Sequence, residues 1–391
     1  MRGLSAGISF GLLAIATSFS SLLVLSSSFA QDATRVETRV ESDQTDAKPY
    51  NLKTVVEGLV LPWSIAFLPN GDMLVTELDG RLRLIRNGEL VREPVSGVPP
   101  VYRAGQGGLM DIALHPDFES NQWVYLTLAT GTPERNALRV IRGRFTGSAL
   151  EDIQTIFEAA KAKDTAVHYG ARMTFLPDNT LLVAVGDGFN YREEAQNLTN
   201  HFGTIIRVTD NGKVPDDNPY LENDDFQPEI WSYGHRNQQG IVYDKVRGVT
   251  FETEHGPLGG DELNIIQPGL NYGWPAITYG RDYSGGSISP YTAYEGMEQP
   301  LVYWTPSIGP SGMDVYNGSA FSDWKGDIFI SSLIFNHVVR VDMQGNEAGQ
   351  QEILFAEIGD RIRDIRAAAD GTLYLLVEGE NGRIVRVSPA Q

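Results

Sequence analysis

Short apolar runs of β type, broken by Gly, Asn and Asp, recur from about position 50 to the end of the chain, while the 3.6-residue period of an amphipathic helix is nearly absent. One unit repeats: an alternating apolar segment, a Pro-Asp or Asn-Gly turn, then a hydrophobic strand. The clean copies are SIAFLPNGDMLVTE from Ser64, ARMTFLPDNTLLVAVGD from Ala171 and DIRAAADGTLYLLVEG from Asp364. Looser ones are MDIALHPDFESNQWVYLTLA from Met110, GIVYDKVRGVTFETEHG from Gly240 and MDVYNGSAFSDWKGDIFISSL from Met313. Six such units, each a small antiparallel sheet with its own turn, predict an all-β, six-bladed β-propeller with its site at one end of the central channel. A jelly roll or sandwich would not readily generate six. The inner strand of each blade is expected to be the apolar one after the turn. Tyr50 to Gly58, with Leu52, Val55 and Val56, is expected to pair near Ile384 to Val387 and close the ring.

The ends and the composition add a compartment. Residues 1–30 read as an export signal, with Arg2, an apolar and Ser-rich body from Ile8 to Leu25, and small residues at Ser28 and Ala30. Cleavage is predicted before Gln31; an uncleaved anchor is the alternative, because the apolar stretch is long. Residues 31–48 are polar and charged, as in a mobile leader, and 49–391 carry the propeller. A periplasmic or secreted protein follows, with no membrane span after cleavage. The absence of cysteine excludes disulfides, thiolate metal sites and lipid attachment at an N-terminal cysteine. A net charge of −19 opposes nucleic acid and anionic membranes as partners. It is silent on a small neutral substrate.

Polar chemistry is densest between Trp231 and Pro275, in WSYGHRNQQG and TEHGPLGGDELNIIQPGLNYGWP. Arg236 offers a fork that matches carboxylates; Asn237 and Gln239 add amides; Asp261, Glu262 and the turn carbonyls at Gly256-Pro257 suit a hard cation such as calcium. Together they point to an anionic, planar or multiply oxygenated ligand beside a metal. Outside this stretch, His168 lies just ahead of a strand pattern, at the expected channel mouth, with Asp187 ending the same strand. A histidine oriented by a carboxylate is a candidate general base. His115, His201 and His337 sit in less suggestive settings. Gln106 lies in a Gly-Gln-Gly-Gly loop that lets backbone approach a ligand. Arg361 and Arg363, two apart on a strand, share a face and are placed either to clamp carboxylates or to pair on the outer face with Asp360 and Asp364.

In their order along the chain, GQGGLMDIALHPDF, YGHRNQQG, GGDELNIIQPGLNYGWP and RIRDIR resemble the soluble aldose sugar dehydrogenases, the glucose/sorbosone dehydrogenase family that uses pyrroloquinoline quinone on a six-bladed propeller. The resemblance runs from about Leu61 to Val387. It implies an enzyme that oxidises the C1 hydroxyl of aldoses to lactones, with His168 as base, Asp187 as its orienting carboxylate and Arg236 beside the reacting quinone oxygen. It further implies Gln106, Asn237, Gln239, Tyr283, Arg361 and Arg363 as quinone contacts. The carbonyls of Gly256 and Pro257 would bind the calcium at the cofactor, and Glu262 with the Tyr272 carbonyl a structural one. Three positions depart from the family pattern: Ile334 stands where a cofactor-contacting lysine is common, Ala171 replaces a glycine, and Thr204 replaces a lysine. The Ile334 change bears on quinone affinity. A calcium-dependent lactonase and a noncatalytic sugar-binding propeller are the alternatives. No haem-attachment motif occurs, so electrons would pass to a separate acceptor, from a monomer or a homodimer.

Overall fold

The structure, a computed structural model, describes residues 49–390. The expected signal and leader, residues 1–48, lie outside them. Among the described residues helix is confined to Phe118–Asn121 and three 3-10 turns, and the rest of the regular structure is strand. The strands form six four-stranded antiparallel sheets. Five are consecutive in sequence. The sixth takes three strands from the C-terminal end (Ile362–Ala367, Leu373–Val377, Gly382–Pro389) and its outer strand, Tyr50–Leu59, from the start, with Leu52 opposite Val387 and Val56 opposite Ile384. The ring is closed by the strand expected to close it.

The turns explain why the repeats fold as hairpins. In the three clean copies the Leu68, Leu176 and Ala368 amides each donate to the carbonyl four residues on, Asp72, Thr180 and Thr372. The residue before that acceptor has positive φ: Gly71 at 87°, Asn179 at 65° and Gly371 at 80°. Gly and Asn are the residues that enter this region at least cost, so the Asn-Gly, Asp-Asn and Asp-Gly pairs set the strand register.

One expectation is corrected. The inner strands are the segments before each turn: Pro62–Phe67, Leu109–Leu114, Gly170–Phe175, Gln238–Asp244, Pro310–Val315 and Ile362–Ala367, each packed against the next around a closed ring. The strands after the turn are more apolar because they lie mid-blade, covered on both faces by neighbouring blades, whereas the inner strands must also fill the channel with polar groups. Ser64 Oγ donates to Asp111 (2.6 Å) and Asp364 (3.2 Å), and the fully buried Arg172 pairs with both carboxylates at 3.2 Å. The inner strands share one direction, so the loops entering them and the loops leaving the second strands meet at the same end.

Candidate active site

His168 enters the inner strand of the third blade and Asp187 leaves the next one, Leu181–Val185, rather than sharing a strand with it. Antiparallel pairing of Gly170 with Val185 brings the two together. His168 Nδ1 lies 2.7 Å from Asp187 Oδ1. The same oxygen accepts from the Phe189 amide (2.8 Å), and Asp187 Oδ2 accepts from the Trp274 indole (2.8 Å). Three donors around an acceptor-only group fix an ionised carboxylate, so Nδ1 carries the hydrogen and Nε2 the free lone pair. Burial alone would raise Asp187, but the hydrogen bond and charge of His168, with Arg236, hold it below the usual range. Burial pushes His168 below 6.5 against the pull of Asp187, and Arg236 and Lys163 add to the fall. At neutral pH this is a neutral imidazole aimed by a carboxylate.

The backbone at His168 is constrained. Its φ is 53°. Its amide donates to Gln106 Oε1 (2.7 Å) from the second blade's entry loop, and its carbonyl accepts from the buried Lys163 (3.2 Å) and from the Gly188 amide. At Gly186 a Cβ would sit 2.5 Å from that carbonyl, which reserves the position for glycine.

Arg236 comes from the loop entering the fourth blade. Its backbone carbonyl accepts from the Asp187 amide (2.8 Å), and its amide donates to the Glu254 carboxylate. The guanidinium donates to the carbonyls of His255 (3.0 Å) and Gly256 (2.8 Å) and to Tyr283 Oη (3.4 Å). It is buried, and among the described residues no carboxylate pairs with it. Its side-chain hydrogen bonds thus go to neutral acceptors, while its charge helps to hold Asp187 ionised. Behind the Gly256-Pro257 turn, Asp261 accepts from Ser307 and from the amides of Gly256, Ile308 and Gly309; burial still raises it to about 6.

Arg363 and Arg361 reach the same end from the sixth blade. They converge on Glu378, at 2.7 and 2.9 Å, and not on Asp360 and Asp364. Arg363 is buried with its Nε–H unpartnered; Arg361 is exposed. Burial, with the nearby Arg236 and Arg363 cations and His168, holds His255 down at about 3, so these groups share one electrostatic neighbourhood. Asn237 and Gln239 spend their amides across the seam between blades: Asn237 Oδ1 accepts from Gly170 N (3.2 Å) and Gln239 Nε2 donates to Gly170 O (3.3 Å). A cavity of about 440 Å³ beside Arg236 is lined by Asp187, Phe189, Arg236, Pro257, Trp274 and Tyr283 among others. Tyr272 stacks on His235 one layer below, and Glu262 stands opposite Glu254. Ile334 is half exposed in the loop leaving the fifth blade's second strand, and the buried Thr204 donates to the His201 carbonyl. Trp274, Glu378, His255 and Lys163 were not singled out from sequence. A signal for Glu378 existed: in the clean repeats an acid ends or closely follows the second strand, Glu77, Asp187 and Glu378.

Residues 59–386 match the family model described as Glucose / Sorbosone dehydrogenase. The chain belongs to this family. It is 38% identical over 346 residues to the aldose sugar dehydrogenase YliI of Escherichia coli, covering 87% of this chain and 93% of that one. The apo-form structure of the soluble aldose sugar dehydrogenase from Escherichia coli superposes with a TM-score of 0.85 at 37% identity, over 87% of this chain and all of that one. The PQQ-bound form of the aldose sugar dehydrogenase from Streptomyces coelicolor gives 0.71 at 27% identity, over 87% and 98%. Membership makes the chain a sugar-oxidising dehydrogenase propeller.

Proposed function

We propose that this protein is a quinoprotein that oxidises the C1 hydroxyl of aldoses to lactones, with pyrroloquinoline quinone and calcium held at the end of the channel where Arg236 and Arg363 lie. The observation that carries the reading is the unpaired, buried guanidinium of Arg236 beside a neutral imidazole held by an ionised carboxylate. The residues fit a carboxylate-bearing planar group. Arg363 Nε is an orphaned buried donor, and Arg361 adds a second guanidinium at the same place. Gln106, Asn237, Gln239 and Tyr283 would line it. The Gly256 and Pro257 carbonyls, pegged from behind by Asp261, suit calcium, and a void of about 10 Å³ beside Glu254, Glu262 and Tyr272 suits one further ion.

When bound, the quinone supplies the hydride acceptor, and calcium polarises it as a Lewis acid. The protein supplies proton handling and field. His168 Nε2 takes the C1 hydroxyl proton as C1 gives up its hydride, and Asp187 stabilises the imidazolium that results. The Arg236 cation stabilises negative charge developing in the cavity. Phe189, stacked on Tyr283 at 6.2 Å and edge-on to His168, shields the base from water. Residues 1–30 would direct export to the periplasm or medium, 31–48 form a leader, and a separate carrier take the electrons. A lactonase would need its metal at the channel centre, where Arg172 and its two carboxylates stand.

The test mixes calcium-loaded apoprotein with pyrroloquinoline quinone and glucose and follows a redox dye. Dye reduction that requires both quinone and calcium is the expected result. Lactone hydrolysis without quinone, or sugar binding with no dye reduction, contradicts it.

A further inference from the structure

One face of the fourth blade buries more negative charge than the protein neutralises. Glu252 and Glu254, two apart on the strand Val249–Glu254, point to the same side. Directly opposite them in the register stand Asn264 and Glu262, and Gln238 opposes Glu254 from the inner strand. His235 joins from the preceding loop. One ligand atom from each of His235, Glu252 and Glu254 lies within 4.8 Å of the others, and all three residues are buried. Among the described residues no Lys or Arg side chain pairs with Glu252 or Glu254. Their partners are the Asn264 amide for Glu252 (3.2 Å), and His235 Nδ1 (3.3 Å) and the Arg236 amide for Glu254.

Three buried acceptor oxygens here have no donor: Glu252 Oε1, Asn264 Oδ1 and Gln238 Oε1. Buried carboxylates without a counter-charge are costly. A proton shared between two glutamates answers one of these oxygens; a cation answers several at once. The imidazole is already set for the task. His235 Nε2 lies 3.0 Å from Ser232 Oγ, which can accept its hydrogen, so that Nδ1, on the carboxylate side, becomes the coordinating nitrogen when a cation replaces its contact with Glu254.

We propose that His235, Glu252 and Glu254 form a buried site for a divalent cation, separate from the calcium at Gly256-Pro257 and adjoining the position proposed at Glu262 and Tyr272, with which it shares Glu254. An imidazole with carboxylate and amide oxygens favours a borderline ion such as Mn²⁺ or Zn²⁺ over calcium, which takes oxygen ligands. Because Glu254 also accepts from the Arg236 amide, the ion anchors the loop that carries that guanidinium.

Chelator-stripped protein, reloaded with excess Ca²⁺ and without quinone or sugar, is titrated with Mn²⁺ and read by electron paramagnetic resonance. One Ca²⁺-resistant Mn²⁺ per chain is expected. Glu252→Gln, which keeps the shape, loses it, and Ser232→Ala weakens it by about 10–100-fold through the freed imidazole. Glu262→Gln, which damages the proposed structural calcium position, keeps it. The proposal is overturned if no Ca²⁺-resistant Mn²⁺ binds, if Glu252→Gln binds Mn²⁺ as wild type does, or if binding is lost with Glu262 alone. The absence of quinone and sugar separates this outcome from any failure of the quinoprotein reading.

Discussion

The His168 imidazole shows how surroundings set the tautomer and charge of one residue. Asp187 fixes the tautomer, Gln106 and Lys163 hold the backbone at positive φ, and burial keeps the ring neutral. Its folded pKa lies below the unfolded 6.5, so the free base persists as pH falls through 6.5 and is lost only lower down. The acid limb of kcat/KM is therefore expected below pH 6.5, and a limb at or above that value would contradict the assignment. By the same linkage the unfolded chain binds this proton more readily, so His168 takes stability away as pH drops below 6.5. Three residues on, Ala171 is fully buried with φ 84°, where an L side chain is strained. Ala171→Gly relieves that strain against glycine's greater unfolded entropy, for a net gain of up to about 1 kcal/mol. Urea unfolding checks it; a lower midpoint in the glycine variant would mean that the strain is absent.

At the scale of elements, the loops entering the inner strands and leaving the second strands carry the chemistry, and the blades hold them in place. The sequence motifs placed His168, Arg236 and Arg363 in one neighbourhood because each sits at or just before the start of an inner strand, which is the same end of every blade. Which strand lines the channel was not legible, since apolar content reports coverage on two faces and the inner strands carry Ser64, Asp111, Arg172 and Asp364. The pairing of Arg361 and Arg363 was also hidden, because Glu378 lies a hairpin away and meets them only once Ile362 pairs with Val377. Glu378 holds both guanidiniums but competes with an incoming carboxylate. Glu378→Gln removes that competing charge, and several-fold tighter binding of pyrroloquinoline quinone is expected by fluorescence titration. Weaker binding would show that Glu378 serves chiefly to position the pair.

For the whole molecule, closure is the decisive feature. The strand Tyr50–Leu59 completes the sixth blade against Gly382–Pro389, and Tyr50 packs edge-on against Phe355 at 4.8 Å. Deleting residues 49–58 exposes the edge of Gly382–Pro389 and removes the buried Val56 that packs there. A sharp fall in the thermal midpoint is expected; an unchanged melting curve would show that the ring does not depend on this strand. Closure also makes the proposed site possible, since His168, Arg236 and the Arg361–Arg363 pair come from the third, fourth and sixth blades.

The central claim is that His168 is the base of a quinone-dependent sugar oxidation. The direct measurement is steady-state turnover of His168→Ala, loaded with calcium and pyrroloquinoline quinone, alongside its quinone affinity. Turnover should fall by about 10²–10⁴-fold with the affinity unchanged. Turnover within a few-fold of wild type would contradict the account.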